Sequence, residues 1–557
     1  MDRRTAHTAA LLAAGAVVGS LAVALPSAAT NATNATNAAN PTNAATRPQP
    51  RQSDALAWRS CATKAYPRLE CSQVPVPLDH ARPGGRKITI ALSRVRHTDP
   101  AFQGPLLVNP GGPGASGLHL AGYVATSLPA KVSAQYDVIG FDPRGVGAST
   151  PALTCRPGHF APVRPDPVPR TVSDESAQLA RARAFARECG RKYPDLLPHL
   201  STVNAAKDMD LIRAALGAER ISYFGYSYGT YLGAVYARQF PHRVRRAVLD
   251  SVVDPDGVWY EDNLGQDLAF DSRHKAFAAW VARHHATYRL GTDPAGVEAA
   301  WYTMREALRR APAGGKVGPG ELEDTFLPGG YDNRYWPRLA DAFAAYALHG
   351  RTQPLLDAYR ALGAVDSKGE NGYSVYTAVE CHDAPWPRSW PAWRADNTAI
   401  HAKAPFFTWS NAWYNAPCAF WPVASLGPVD VANTALPPVL LFQATDDAAT
   451  PFEGAVTMHR KLHGSRLVVE RGGGNHGISL SGNACLDRYL TDYLATGALP
   501  PAVPGDAADA FCAARPEPEP PAAQAAGEDK SSGREGTQMT GGALHGLHGL
   551  GIPGRGV

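Results

Sequence analysis

Three short stretches of this chain carry residue types that could do nucleophilic chemistry. The first is Gly225-Tyr226-Ser227-Tyr228-Gly229, a G-x-S-x-G pattern. A serine in that pattern sits on a sharp strand-to-helix turn, its hydroxyl lifted clear of the sheet. The second is "QATDDAATP", which places Asp446 and Asp447 directly after the apolar run "PVLLF". The third is "GGGNHGISL", which puts His476 in a glycine-rich loop. A serine hydroxyl is a weak nucleophile until a base takes its proton. An imidazole does that at neutral pH when a carboxylate fixes its tautomer and stabilises its charged form. A fourth stretch, "NPGGPG" (109–114), follows another apolar run. Its turn can present the backbone N–H of Gly112 to a developing oxyanion, opposite the N–H of Tyr228.

Each of these stretches alone has an ordinary reading: a loop histidine, a turn aspartate, a glycine turn. Their order and their supporting elements raise them above that. "KITIALSRV" (87–95), "PLLVNPGGPG" (105–114, ending in glycines), "YDVIGFDPRG" (136–145, with a turn), "ISYFGYS" (221–227), "RRAVLDSVV" (245–253), "PPVLLFQATDD" (437–447) and "SRLVVERGGG" (465–474) read as strands. "AAKDMDLIRAALG" (205–217) and "TYLGAVYARQF" (230–240) read as the helices between them, ended by Gly217 and Pro241. Apolar strands alternating with helices imply a mostly parallel sheet covered on both faces, with its site at the C-terminal strand ends. Serine, then aspartate, then histidine, each after a strand, is the chain order of the α/β-hydrolase fold. The fold class expected is therefore α/β, an α/β-hydrolase with a large, mainly helical cap inserted at 255–430. Ten of the eleven tryptophans lie between Trp259 and Trp421. That composition suits a cap with an aromatic core, some of whose rings line a substrate pocket.

The chain has 557 residues, with 54 Lys+Arg against 50 Asp+Glu and a formal net charge of +4. No basic run stands out, so nucleic acid is not an expected partner. Arg3 and Arg4, the uncharged run Ala9–Leu25 and the small residues Ser27-Ala28-Ala29 read as an export signal over 1–29. Residues 30–52, rich in Asn, Ala and Thr, and the tail 515–557 lack the large apolar groups a core needs. The folded body expected is a core over 53–254 and 431–514 around the cap. The cysteine number, eight, is even, and no C-x-x-C pair suggests metal or redox chemistry. Pairing of sequence neighbours gives Cys61–Cys71, Cys155–Cys189, Cys381–Cys418 and Cys485–Cys512, in keeping with a secreted monomer that holds no stable membrane contact. No metal or organic cofactor is expected, because a Ser-His-Asp set needs none.

The sequence also resembles a known family, the secreted bacterial tripeptidyl aminopeptidases and their proline-iminopeptidase-like relatives. The resemblance rests on "VNPGGPGASG", "YDVIGFDPRGVGAST", "GYSYGTYLGAVYARQFPHRVRRAVLDSVVDP", "TDDAATPFEGA" and "GNHGISL". It spans about 55–512. It implies a serine exopeptidase acting on peptides and proteins with a free N-terminus. It also selects Asp447 over Asp446, because in the family the acid stands about two positions before A-T-P. An exopeptidase must bind the substrate's α-ammonium, which calls for a carboxylate in the pocket. Glu380 and Asp383, in "TAVECHDAPWP", are the candidates. A secreted esterase or lipase, another aminopeptidase such as a proline iminopeptidase, and a non-catalytic binding protein that keeps the fold are the competing readings.

Overall fold

The computed structural model describes residues 56–505 and 508–521. The expected export signal and the Asn/Ala/Thr stretch lie outside the described residues, as does the tail beyond 521. Ten strands form one sheet: β1 (Arg59–Ser60), β2 (Glu70–Pro77), β3 (Lys87–Val95), β4 (Pro105–Asn109), β5 (Asp137–Phe141), β6 (Ile221–Tyr226), β7 (Val244–Asp250), β8 (Leu440–Ala444), β9 (Arg466–Arg471) and β10 (Ala510–Ala513). Their spatial order is β1-β2-β3-β5-β4-β6-β7-β8-β9-β10. β1, β2, β3 and β5 pair antiparallel; from β5 through β10 every pairing is parallel. The mostly parallel sheet and its strand order are those of an α/β-hydrolase.

The pleat explains why the inner strands are apolar throughout. β4, β6 and β8 are buried at every position. Leu107, Tyr223, Leu249 and Leu441 enter one core, while Leu106, Val108, Phe224, Val248 and Phe442 enter the other. Alternate side chains thus meet helices on opposite faces. β2 was not legible as a strand because of Pro75 and Pro77. Its partner β1 reaches only Glu70 and Cys71, so the rest of β2 is an edge, where missing N–H groups cost no ladder bond.

Every regular element between β7 and β8 is helical. These helices enclose a third core that includes Phe277, Trp280, Trp301, Trp336 and Phe343. Most tryptophans therefore pack in cores, and among the described residues Trp259 alone of them lines the cavity beside Ser227. The cysteines form four disulfides, Cys61–Cys71, Cys155–Cys189, Cys381–Cys418 and Cys485–Cys512. Within residues 515–521, assigned to the tail from sequence, Glu517 and Pro518 reach the helix Tyr260–Arg283. Trp280 Nε1 donates to Pro518 O at 2.9 Å, and Arg283 pairs with Glu517.

The segment "FDPRGVGAST" is structural. Asp142 Oδ1 accepts from Gly117 N at 3.0 Å, and its Oδ2 from Ala148 N at 2.8 Å. Arg144 is fully buried. Its Nε and Nη2 donate to Asp208 at 2.7 and 2.6 Å, and its Nη1 donates to Leu78 O and His199 O. This pair ties the β2–β3 turn to the helix Thr202–Ala215. Removing one partner leaves the other charge buried and alone. Asp208→Ala is therefore expected to lower unfolding stability by about 3–5 kcal/mol in denaturant titration; a loss under about 1 kcal/mol would mean that the pair is not holding the fold together.

Candidate active site

β6 ends at Tyr226, and the helix Tyr228–Gln239 starts two residues later. Ser227 between them has φ 57° and ψ −129°, a strained conformation for a residue with a Cβ. The turn fits only because its neighbours are small. A Cβ on Gly225 would stand 2.5 Å from Gly229 O. The Ser227 side chain makes no capping bond to the helix it precedes, and Tyr228, as the first helical residue, has an N–H with no intrahelical acceptor.

Asp447 follows β8 and His476 follows β9. His476 Nδ1 lies 2.9 Å from Asp447 Oδ2 and 3.0 Å from Oδ1. Asp447 Oδ1 also accepts from Ala449 N and Thr450 N, at 2.9 and 3.1 Å, and Thr450 Oγ1 donates to Oδ2. These bonds hold the carboxylate as an acceptor and assign the Nδ1 proton to the imidazole. Nε2, on the far side of the ring, is buried and has no hydrogen-bond partner. Asp446, the neighbouring acid, is exposed, and its backbone N–H is tied to Gly473 O.

The end of β7 joins these pieces. Asp250 O accepts from Ser227 N at 2.9 Å. The Asp250 carboxylate, fully buried, accepts from Ile478 N at 3.1 Å, Ser479 N at 2.7 Å and Ser479 Oγ. Ser251 Oγ accepts from Gly477 N at 2.7 Å. The serine turn and the histidine loop thus hang on one pair of residues. The glycine-rich loop closes the third side. A Cβ on Gly111 would fall 2.9 Å from Ser227 Cβ, and one on Gly114 would fall 2.3 Å from Gly372 O. Only a chain without side chains there fits between the elbow and the helix Ser367–Asp383.

Gly112, Ser227 and Tyr228 open into a cavity walled by Trp259, Phe270, Tyr331, Tyr376, Phe407 and Tyr414. A sequence model described as TAP-like protein matches residues 404–526. The chain is 44% identical over 477 residues to the tripeptidyl aminopeptidase of Streptomyces coelicolor, covering 83% of this chain and 87% of that protein. The chain belongs to the tripeptidyl aminopeptidase family of α/β-hydrolases. It is a serine hydrolase of that type. Serine protease Hip1 of Mycobacterium tuberculosis is 32% identical over 479 residues, 81% of this chain and 91% of that protein. Carboxylesterase B of the same organism is 34% identical over 522 residues, 90% of this chain and 98% of that protein.

In this member of the family the acids of the cavity wall are Glu380, Asp262 and Asp254. Glu380 is buried, and its Oε2 has no partner. Burial, with Asp262 and Asp383 nearby, pushes its carboxyl well above the usual range, although Tyr376 and Asn263 oppose the shift. Desolvation, aided by Asp254 and Glu261, does the same to Asp262. Asp383, taken as a pocket acid from sequence, is not among the lining residues. Its Oδ1 accepts from Thr202 N at 2.8 Å, and its Oδ2 accepts from Thr202 Oγ1, which also contacts Tyr228 Oη at 2.7 Å. It caps the helix Thr202–Ala215, and burial raises its pKa to about 7. The helix Ser367–Asp383 turns Glu380 and Asp383 to different neighbours, which proximity in sequence did not reveal. Asp262 was missed because "YEDNLGQD" reads as an ordinary charged first helical turn.

The two aspartates after β8 give a direct test. Asp447→Asn should lower kcat on the best substrate by about 10⁴-fold, because the amide favours the wrong imidazole tautomer. Asp446→Asn should stay within a few-fold of the unaltered protein. Equal losses, or a larger loss at Asp446, would reverse the assignment.

Proposed function

We propose that this protein is a secreted serine exopeptidase that releases tripeptides from the free N-termini of peptides and proteins. The observation that carries the reading is Glu380 Oε2. It is a buried, unpartnered carboxyl oxygen in the same aromatic-walled cavity as Ser227, with Asp262 on the same wall. A buried acceptor without a donor is costly, and a substrate ammonium is the group that would relieve it. A neutral ester offers such acids no charge to bind. The four disulfides fit an oxidising compartment, and among the described residues no helix is long and apolar enough to cross a membrane.

In the proposed mechanism the peptide lies with its ammonium at Glu380 and Asp262 and its scissile carbonyl over Ser227. His476 Nε2 takes the Ser227 Oγ proton as Oγ attacks the carbonyl carbon. Asp447 steadies the imidazolium at Nδ1. The oxyanion accepts from the N–H groups of Gly112 and Tyr228, which are fixed before the charge develops. His476 then gives its proton to the leaving amine. Water, activated by the same imidazole, releases the tripeptide from the acyl-enzyme. The name of the S. coelicolor relative supports three residues as the released length. The carboxylesterase named among the relatives keeps the esterase as the second reading.

Acetylation of the substrate N-terminus separates them. It should lower kcat/KM by about 100-fold or more, on the order of losing a buried charged partner. Glu380→Gln or Asp262→Asn should shrink that discrimination, whereas similar rates on free and acetylated substrates would favour the esterase. The pH profile carries a second signature. The raised carboxyls are neutral at low pH and must ionise to hold an ammonium, so affinity improves as pH rises through their pKa. It should fall again above about 8, where peptide α-ammonium groups lose their proton. That alkaline limb should be absent for a small neutral ester; an identical limb on both substrates would contradict ammonium recognition.

A further inference from the structure

The loop that carries His476 is held from two sides. Its C-terminal half, Gly477 to Ser479, bonds to Asp250 and Ser251 of the core. Its start, Gly472 and Gly473, bonds to Thr445 and Asp446 of the core; the next three residues are held by the cap. A Cβ on Gly474 would lie 2.3 Å from Arg273 Cζ, so the loop rests on that guanidinium. Asn475 and Asn333 exchange two bonds: Asn333 N donates to Asn475 Oδ1 at 2.9 Å, and Asn475 Nδ2 donates to Asn333 Oδ1 at 3.2 Å. His476 N donates to Tyr331 O at 2.8 Å, and the Tyr331 ring stands edge-on to the imidazole, 5.4 Å between centroids and 88° between planes. The cap-held residues Gly474 to His476 thus lie between two core anchors, with the imidazole on the last of them.

The holding segment of the cap also reaches the substrate. Leu327 and Tyr331 line the cavity. The short helix Pro328–Tyr331 and the turn Asn333–Tyr335 follow each other with one residue between. Asn333 itself is not a cavity residue, so its bonds to Asn475 serve the loop and touch no substrate.

We propose that the cap segment 327–335 is a positioning element for the catalytic base: the Asn333–Asn475 amide pair and the Tyr331 carbonyl set the His476 imidazole against Asp447 and Ser227. The cap is then part of the apparatus for every acyl transfer, whatever the size of the substrate. This rests on the triad reading above. A cap that only selects substrates predicts something different, since loosening it would spare a reagent too small to reach the pocket wall.

The test uses the whole protein and two readouts. One is kcat and KM for a tripeptidyl anilide. The other is the rate at which a small fluorophosphonate inactivates the enzyme by phosphonylating Ser227. Asn475→Ala, which deletes both bonds, should slow both reactions by about 10- to 100-fold, the order expected for misplacing a catalytic group by about 1 Å. The loss should fall on kcat, with KM little changed. Asn333→Ala deletes one bond and should lose less. Asn333→Asp keeps the oxygen acceptor and should recover most of the rate. The double variant Asn333→Ala/Asn475→Ala should be no slower than Asn475→Ala alone. Thermal melts on each variant separate a misfolded protein from a mispositioned base, and Asn333→Ala carries the comparison if Asn475→Ala does not fold, an unaltered fluorophosphonate rate in it then overturning the proposal. Fluorophosphonate rates at the unaltered level in folded Asn475→Ala would overturn the proposal. His476→Ala, run alongside, keeps the two readings apart: a normal fluorophosphonate rate in that variant would sink the triad itself.

Discussion

The geometry of the site depends on one buried carboxylate, that of Asp250. It lies at the end of β7, between the strand that carries the serine and the two strands that carry the acid and the histidine. Its oxygens take N–H and O–H donors from Ile478 and Ser479, and its own carbonyl takes the Ser227 N–H. Burial without these donors would cost several kcal/mol. Even with them desolvation dominates and raises its pKa. The chain must therefore bring the histidine loop to Asp250 whenever it brings β7 into the sheet. Ser227 and Ser251, adjacent to this junction, both hold positive φ. Strain of that kind survives only where the surroundings over-determine the backbone, and here a bonded network does so.

Around that junction the labour is divided between two bodies of packing. The sheet and its two cores supply the elbow, the acid and the glycine-rich loop. The helices between β7 and β8 supply the aromatic wall and the carboxyls. The contact of Gly114 with Gly372 and the bonds of Asn333 to Asn475 stitch the two together beside the serine and beside the histidine. In the proposed reading the acyl-transfer chemistry comes from the core. Selection for an ammonium comes from Glu380, whose Oε2 is buried without a partner. The low dielectric that makes that carboxyl hard to ionise also makes a bound ammonium worth more.

Much of this was legible in the sequence, for a definite reason. The inner parallel strands are buried on both faces, so they read as short continuous apolar runs. The catalytic candidates stand directly after them. What the sequence hid depends on tertiary neighbours. β2 carries two prolines that only an edge position excuses. β1 has two residues and β10 four, too short for a periodic pattern. Glu380 and Asp383 are three residues apart on one helix, yet one faces the cavity and the other caps a core helix through Thr202. Asp262 and Asp250 look like common charged residues until the fold removes them from water. Arg144 sits in a glycine-rich turn that reads as a loop motif, and only its partner Asp208, 64 residues away, explains it.

The most direct measurement is to trap the acyl-enzyme. The protein is mixed with a tripeptidyl ester bearing a free N-terminus, quenched in acid within its first turnovers, digested and mapped by mass spectrometry. The proposed function predicts one adduct, the mass of the tripeptidyl group, on the peptide containing Ser227, and far less of it from the N-acetylated ester. An adduct on another residue, or equal labelling by free and acetylated esters, would contradict it.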